Sequence, residues 1–410
     1  MKLYRALFLK ICKCLDSIIN DNEYADKTVQ YLFKTDRQLG SSDRRLVAEA
    51  VYDIVRWKRL FAYAADIGED FNDKNLAKLI KVWLVFRSIP VPHWDDLSIP
   101  DEAHINSILG NKVLPRAVRE SIPDWMDNKA VEELGEKLWE KEISALNKPA
   151  EVILRANTLI NSPEMLKTLL SNENIDTTLI PGYQDALRLT GRPNVFNTKA
   201  YKDGRFEVQD ASSQLIAPFL EVTPGMLVID ACAGAGGKSL HIAALLQNRG
   251  RLIAMDVLES KLEKLKIRAR RNKVHNIECR LIESSKTWKR FKSMADRVLI
   301  DAPCSGLGVL RRKPDDKWKL TPEKLESLRN TQKEILADYA GMVNPGGKLV
   351  YATCSILPSE NQDQVRNFLS SDKGEGFRLE DEKIILASQS GFDGFYMARL
   401  VKAVQPDTKV

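Results

Sequence analysis

The chain has 410 residues, enough for two or three domains, and its 44% hydrophobic and 29% charged residues are typical of a globular protein. No apolar run approaches the roughly 18 residues that a membrane span needs, so no membrane partner is expected. The formal net charge of +6 weakly favours a polyanionic partner, and six cysteines without a framework spacing indicate reduced thiols in a cytoplasmic protein.

Residues 1–125 are predicted to form a helical domain. Apolar residues recur there at helical spacing in two stretches, namely Tyr4, Leu7, Ile11 and Leu15, and Leu46, Ala50, Ile54 and Trp57. The arginine cluster that includes Arg37, Arg44 and Arg45 is interpreted as a solvated helix face, with a phosphate-binding stripe as the alternative. Cys12 and Cys14 have no second ligand pair nearby, so no metal site is predicted.

Residues 126–205 change in character and are predicted to form a small α+β module. A helix over 131–147 leads to a strand over 152–157, and a helix over 163–171 is followed by further short strands. A module of this size and RRM-like make-up often serves as an RNA-binding accessory domain.

From residue 206 to 404 the sequence alternates between strands and helices. The alternation predicts an α/β domain with a doubly wound, Rossmann-like sheet. Its strands are predicted over 227–229, 252–255, 277–282, 298–300, 349–354 and 395–401, and its helices over 238–247, after Asp256, from Thr321-Pro322 onward and over 360–369.

A loop of small residues follows the first of these strands and suggests a ligand. A P-loop would need its first glycine where Cys232 stands, and a dinucleotide fingerprint would need a glycine where Ser239 stands. The carboxylate of Asp230 would repel a phosphate but suits a cationic amine, and Asp256 lies where an acid can bind a ribose diol. The loop therefore favours S-adenosylmethionine, with a glycine turn used only for packing as the alternative.

Two later strands end in a thiol, and one of them also ends in an acid. Asp301 and Cys304 follow the strand at 298–300, and Cys354 ends the strand at 349–354. The carboxyl ends of parallel strands share one edge of the sheet, so these groups should meet at a site. A thiolate that adds to C6 of a cytosine makes C5 nucleophilic, an acid can hydrogen-bond the ring, and release of the product needs a base. The three residues can fill these roles, although a lone cysteine is more often a small buried hydrophobe.

Several stretches in this order resemble the RNA (cytosine-5)-methyltransferases of the RsmB/Sun group, which are class I methyltransferases. The resemblance spans residues 150–403. It rests on Val208-Gln-Asp210 with Gln214, Asp230-Ala-Cys-Ala-Gly-Ala-Gly-Gly-Lys238, Asp301-Ala-Pro-Cys-Ser-Gly306 continuing to Arg311-Arg-Lys-Pro-Asp315, Tyr351-Ala-Thr-Cys-Ser355, and Glu360-Asn361.

The resemblance implies roles for these residues. Cys354 would be the nucleophile, Cys304 would release the methylated product, and Asp301 would contact both the base and the cofactor. The first 125 residues are similar in pattern to the NusB-like RNA-binding domain of such enzymes. The residues implied to hold S-adenosylmethionine are Cys232, Ala233, Gly234, Ala235, Gly236, Gly237, Lys238, Asp256, Asp301 and, near the adenine, Ser284 rather than Glu283.

The expected activity is methylation of C5 of a cytosine in RNA, with 16S ribosomal RNA as the leading substrate, by a cytoplasmic monomer. Transfer RNA is the alternative within this class. A non-catalytic RNA-binding factor of ribosome assembly and a DNA methyltransferase are the rivals from other classes, but DNA cytosine-5 enzymes lack the Thr-Cys pair that Cys354 belongs to.

Overall fold

The computed structural model describes residues 3–94, 97 and 100–404. The chain forms two compact units. The helical unit contains residues 1–148 and 310–322, and the sheet unit contains residues 149–309 and 323–410. Among the described residues, no helix is both long and apolar enough to cross a bilayer.

The helices and strands are numbered in chain order. The helices are α1 (Arg5–Ile19), α2 (Ala25–Thr35), α3 (Ser41–Arg56), α4 (Lys58–Ala64), α5 (Asp73–Phe86), α6 (Glu102–Leu109), α7 (Arg116–Arg119), α8 (Asp124–Leu134), α9 (Glu136–Leu146), α10 (Pro163–Ser171), α11 (Lys199–Lys202), α12 (Ala211–Gln214), α13 (Ile216–Phe219), α14 (Gly237–Leu245), α15 (Glu259–Arg271), α16 (Lys286–Lys289), α17 (Asp316–Lys319), α18 (Pro322–Tyr339), α19 (Gln362–Leu369) and α20 (Ala387–Ser390). The strands are β1 (Ile153–Ala156), β2 (Thr177–Leu179), β3 (Ala186–Leu189), β4 (Phe206–Val208), β5 (Leu227–Asp230), β6 (Arg251–Asp256), β7 (Ile277–Leu281), β8 (Ala295–Asp301), β9 (Val343–Thr353), β10 (Phe377–Ile385) and β11 (Phe395–Lys402).

The helical unit packs the apolar faces of α1, α3, α4 and α5 into one core. The predicted helical character of the N-terminal region is confirmed, since residues at helical spacing such as Leu7, Ile11 and Leu15 are all buried. Gly135 divides the helix predicted over 131–147 into α8 and α9. Its φ of +78° is a conformation that glycine adopts without strain, so the prediction of one continuous helix was wrong.

Residues 310–322 are distant in sequence from the other helices of this unit but pack inside it. The buried ammonium of Lys317 donates to the carbonyl of Arg56 at 2.8 Å and to Oδ1 of Asn147 at 2.9 Å. The indole of Trp318 donates to the carbonyl of Val55 at 2.7 Å. The helical unit is therefore completed by a segment that the chain supplies after β8.

The sheet unit begins with a four-stranded antiparallel sheet in the order β2-β3-β1-β4. With α10 after β1 and α11 before β4, the element order is that of a split β-α-β fold. Leu166 and Leu170 of α10 and Ala200 near α11's start pack with Leu154 and Phe206 in one small core. The small α+β module thus has a hydrophobic core of its own.

The rest of the sheet unit is built on seven strands in the order β10-β11-β9-β8-β5-β6-β7. The five strands from β9 to β7 in this order pair in parallel, and β11 and β10 continue the sheet antiparallel. Helices α14 and α15 pack on one face and α18 and α19 on the other. The predicted doubly wound, Rossmann-like sheet is confirmed, but the sequence did not predict β10, an edge strand with no buried residue.

Candidate active site

The carboxyl ends of β8 and β9 bring the acid and the two predicted thiols to one place. The amide of Ala302 donates to the carbonyl of Ala352 at 2.9 Å, which holds the two strand ends side by side. Beyond them, Sγ of Cys304 and Sγ of Cys354 lie 3.3 Å apart, and both residues are partly buried. The expectation that the two strand-end cysteines meet therefore corresponds to a direct sulfur–sulfur contact.

The two thiols affect each other's chemistry. The hydrogen bond with Cys354 raises the pKa of Cys304 well above its usual value, with further contributions from burial and from the charges of Cys354 and Glu360. Cys304 therefore keeps its proton at neutral pH and can donate a hydrogen bond to the other sulfur. Two thiolates at this distance would repel each other, so loss of both protons is disfavoured.

A lysine from the glycine-loop helix reaches the acid beside these thiols. Nζ of Lys238 lies 2.6 Å from Oδ2 of Asp301. Burial opposes the charge of Lys238, but the nearby carboxylate of Asp301 prevails and raises the pKa of the lysine. The predicted cofactor residue Lys238 thus lies within the cluster that contains Asp301, a contact that the sequence reasoning missed. The sequence feature that could have predicted this contact is the Gly236-Gly237-Lys238 run at the start of α14, which places the lysine in the first turn of the helix.

The loop after β5 is shaped by two glycines with left-handed backbone. Gly234 has a φ of +55° and Gly236 a φ of +89°, a region that L side chains rarely adopt. A Cβ at Gly236 would lie 2.1 Å from Cδ1 of Leu265, whereas a Cβ at Gly234 or Gly237 would meet nothing within 4 Å. The loop is therefore fixed on the α15 side and open on the side where a ligand would lie.

Acids hold this loop in place. Oδ2 of Asp256 accepts a hydrogen bond from the amide of Gly234, and Oδ1 accepts one from the amide of Leu258, at 2.8 and 2.9 Å. Asp230 is buried under the loop, and its Oδ2 accepts a hydrogen bond from the hydroxyl of Ser239 at 2.6 Å. Burial raises the pKa of Asp230 to about 7, and the charge of Asp301 adds to this effect.

Two arginines support the loop from outside, and sequence reasoning missed both. Arg268 on α15 donates to the carbonyl of Ala235 at 2.5 Å, and Arg155 on β1 donates to the carbonyl of Gly237 at 2.6 Å. Glu207 on β4 accepts a hydrogen bond from Arg268 at 2.9 Å. No local motif marks these residues, because their partners are backbone carbonyls distant in sequence.

The remaining predicted residues lie at the same edge of the sheet. Ile282 follows β7 and donates its amide to the carbonyl of Asp256 at 2.9 Å, which carries Glu283 and Ser284 past the end of β6. Both of these side chains are exposed. Cys232 and Ala233 lie in the loop itself, and the amide of Ala233 donates to the carbonyl of Met255 at 2.8 Å. All the predicted positions thus lie at the carboxyl end of β5, β6, β7, β8 or β9 or in the residues that follow it.

This edge fits S-adenosylmethionine on two structural grounds. The backbone at Gly234 and Gly237 leaves open space that any side chain would reduce. Oδ1 of the buried Asp230 has no hydrogen-bond partner among the described residues, so a polar acceptor remains beneath the loop. An amino-acid group on a small sulfonium ligand is compatible with both features.

The seven-stranded sheet, with a glycine loop after β5 and an acid at the end of β6, defines a class I methyltransferase with S-adenosylmethionine as its cofactor. A family model described as 16S rRNA methyltransferase RsmB/F matches residues 217–401, and a model described as the RsmF/B-like ferredoxin-like domain matches residues 122–196. The chain belongs to this RsmB/F methyltransferase family, as the resemblance of the sequence implied.

Relatives support this assignment. "Ribosomal RNA small subunit methyltransferase B" of Vibrio vulnificus is 35% identical over 285 residues, which cover 68% of this chain and 66% of the relative, so the chain spans slightly less than two thirds of that protein. "Probable ribosomal RNA small subunit methyltransferase B" of Synechocystis is 32% identical over 72% of this chain and 70% of the relative. The crystal structure of PH0851 has a TM-score of 0.81 at 23% identity, covering 98% of this chain and 100% of that one, which shows a shared fold.

Proposed function

We propose that this protein methylates C5 of a cytosine in RNA through a covalent bond between Cys354 and C6 of the base. The RNA that we propose as its substrate is 16S ribosomal RNA. The observation that carries the proposal is the pair of thiols 3.3 Å apart beyond the ends of the adjacent strands β8 and β9, of which β8 ends in Asp301. A single nucleophilic cysteine would serve one covalent step. A second thiol at contact distance serves a reaction in which the covalent bond must also be broken.

Cys354 is the nucleophile in this scheme. Its thiolate adds to C6, and the electrons move into the ring toward N3, so C5 becomes an enamine carbon that can accept a methyl group. When bound, S-adenosylmethionine supplies that electrophilic methyl group. As the electrons arrive, N3 takes up a proton by way of the Asp301 carboxyl group, and Lys238 holds that group in position.

Cys304 acts after the methyl group has arrived. While Cys354 is a thiolate, its negative charge and hydrogen bond help to hold the proton on Cys304. Once the Cys354 sulfur is bonded to carbon, that charge is gone, and Cys304 becomes easier to deprotonate. Once Cys304 has given its own proton to solvent, its thiolate takes the proton from C5. The C5–H electrons re-form the C5–C6 double bond, the C6–S bond breaks, and Cys354 leaves as a thiolate.

The ribosomal substrate is taken from the names of the relatives, and the flanking domains agree with an RNA partner. A cytosine within a duplex cannot reach a thiol at a sheet edge, so the target base must be unpaired or flipped out. The exposed basic side chains of α15, such as Lys261 and Lys264, can contact the phosphates near that base. We place this reaction in the cytoplasm of a cell that assembles ribosomes.

The test compares two alanine variants of the purified chain on 16S ribosomal RNA that lacks the modification. We expect Cys354→Ala to form no methylated product and no covalent RNA adduct. Cys304→Ala should form the bond to RNA but release it slowly, which gives a protein–RNA band on a denaturing gel. Normal turnover by Cys354→Ala, or no adduct with Cys304→Ala, would contradict the respective role.

The choice of substrate is tested in the same assay with the unaltered protein. Bisulfite sequencing should detect a new 5-methylcytosine in 16S ribosomal RNA and none in transfer RNA or in DNA of the same length. Methylation of transfer RNA or DNA with equal efficiency would refute the ribosomal assignment but leave the thiol chemistry intact. If the unaltered protein forms no methylated product and both cysteine variants bind RNA as tightly as it does, the protein would instead be a non-catalytic RNA-binding factor.

A further inference from the structure

A fully buried carboxylate lies behind the two thiols and belongs to neither the nucleophile nor the cofactor loop. Glu360 is 0% exposed and lies in a short 3₁₀ turn after β9. Its Oε1 accepts hydrogen bonds from the amide of Ser305 at 2.8 Å and from Nε2 of Gln332 at 3.0 Å. Its Oε2 accepts one from each of the hydroxyls of Ser305 and Ser355, both at 2.5 Å.

These four donors occupy all four acceptor positions of the Glu360 carboxyl group. A buried acid is costly unless its oxygens are satisfied in this way. The four donors are therefore arranged around a carboxyl group of this length. Its serine donors come from the two segments that carry the cysteines, since Ser305 follows Cys304 and Ser355 follows Cys354 directly.

The residues before each cysteine are held by the same group of side chains. Gln332, while bonded to Glu360, also donates to the carbonyl of Pro303 at 2.9 Å. Asn361 accepts a hydrogen bond from the hydroxyl of Thr353 at 2.5 Å and donates to the carbonyl of Ser355 at 3.0 Å. The residues on both sides of each cysteine are thus held by hydrogen bonds. The side chains that make these bonds are Glu360 itself, its neighbour Asn361 and its hydrogen-bond partner Gln332.

We propose that Glu360 is a positioning residue that joins the Cys304 segment to the Cys354 segment and thereby sets the distance between the two sulfur atoms. It touches neither sulfur through a hydrogen bond and acts through Ser305 and Ser355. The inference rests on the proposed roles of the two cysteines for its catalytic meaning. Its geometric content, the sulfur–sulfur distance, can be measured without any RNA.

The measurement is the rate at which a mild oxidant links the two thiols in the full-length protein. Diamide accepts two electrons and two protons from Cys304 and Cys354 and is reduced to the hydrazine, while a disulfide bond forms between the sulfurs. Peptide mass spectrometry detects that link as the loss of two hydrogens. We expect Glu360→Ala and the shorter Glu360→Asp to lower this rate about tenfold or more, since small misplacements strongly reduce reactivity.

Two further variants separate positioning from general loss of stability. Glu360→Gln keeps the length and can still bond all four groups once the serine hydroxyls rotate to accept, so its linking rate should lie nearer to that of the unaltered protein. Asp296→Ala removes an acid at the opposite end of β8, where it joins Leu227 and Asn344 at 2.8 and 2.9 Å. That control should lose stability and keep the linking rate.

Methylation kinetics complete the test. Glu360→Ala should reduce kcat about 100-fold at nearly constant KM for RNA, because substrate binding does not depend on the thiol pair. An unchanged linking rate in folded Glu360→Ala and Glu360→Asp would overturn the proposal. If the linking rate falls but the unaltered protein methylates no RNA, the positioning role stands and the proposed function fails.

Discussion

Charges buried in the sheet unit are paired in ways that have chemical consequences. Lys238 is the clearest case, because its ammonium group forms an ion pair with the carboxylate of Asp301. The position is compatible with two roles, holding the cofactor or holding the carboxylate. The structure favours the second role, which can be separated from the first by measurement.

We predict that Lys238→Met reduces turnover about 100-fold while cofactor binding changes much less, because the loss of a charged group beside the reacting base affects the transition state most. Isothermal calorimetry of S-adenosylmethionine binding and single-turnover methylation would measure the two effects. Lys373→Met, an exposed lysine in the turn before β10, is the matched control and should leave both unchanged. Equal losses of binding and turnover in Lys238→Met would assign the lysine to the cofactor.

His241 on α14 links stability to pH. The ring is buried, and its Nε2 lies 2.9 Å from Oδ2 of Asp185. Burial and the charge of Arg155 lower its pKa from 6.5 to about 4, although Asp185 opposes the shift. The folded protein therefore holds this ring neutral at pH 5, whereas the unfolded chain protonates it, so the stability that this histidine supplies is present above pH 6.5 and lost as the pH falls toward 4.

Between pH 7 and pH 5 the unaltered protein should lose about 2 kcal/mol more free energy of unfolding than His241→Gln, by the linkage between pKa and stability. Urea denaturation at the two pH values measures this difference. The exposed His275→Gln variant is the control and should follow the unaltered protein. The same pH dependence in His241→Gln would show that another group is responsible.

Residue patterns predicted part of this site. Asp301, Cys304 and Cys354 could be expected to meet because each follows a buried strand, and parallel strands end at a common edge. The side chains behind them could not be located in that way. The positioning role proposed for Glu360 depends on its hydrogen bonds with Ser305 and Gln332, which are 55 and 28 residues away. No local spacing in the sequence predicts such contacts.

At the scale of elements, three loops meet at the edge of the sheet that carries the two cysteines, and glycines allow their backbones to come into contact. The amide of Gly308 donates to the carbonyl of Cys354 at 2.9 Å, and the amide of Gly394 donates to the carbonyl of Gly308 at 2.8 Å. A Cβ at Gly308 would lie 2.2 Å from the carbonyl oxygen of Gly394 and 2.8 Å from that of Cys354. The backbones following β8 and β9 and preceding β11 thus approach too closely for a side chain.

We predict that Gly308→Ala lowers stability by about 1–3 kcal/mol and slows disulfide linking of Cys304 and Cys354, since the added methyl group must displace the carbonyls of both Gly394 and Cys354. Thermal denaturation and the diamide assay measure the two effects. Gly341→Ala places the same methyl group where nothing lies within 4 Å and is the matched control. A fully stable Gly308→Ala protein with a normal linking rate would contradict the close approach.

Elements were predictable where burial left a pattern in the sequence. The strands β5, β6, β8 and β9 are buried runs of apolar residues, which local sequence identifies well. The edge strand β10 has no buried residue and carries charged side chains such as Arg378 and Glu382, so its sequence resembles a loop. Its position depends on pairing with β11, which is a tertiary contact.

At the scale of the whole molecule, the helical unit is discontinuous in sequence. Residues 1–148 share it with residues 310–322, and 161 residues of the sheet unit intervene. The sequence predicted an N-terminal helical domain but gave no sign of the second segment, because the partners of Lys317 and Trp318 are the carbonyls of Arg56 and Val55 together with Asn147. Contacts of this kind are not visible in local patterns.

The discontinuity predicts which parts of the chain unfold together. In native-state hydrogen exchange at increasing urea, the opening free energies of the amides of α17 should converge with those of α3 and α5. They should not converge with those of β8, although β8 is nearer in sequence. Trp318→Ala should lower the protection of α17 and α3 together, since it removes the 2.7 Å bond to Val55 and the contact of the indole with Lys58. The amides of β8 are the internal control, and exchange of α17 in step with them would show that residues 310–322 belong energetically to the sheet unit.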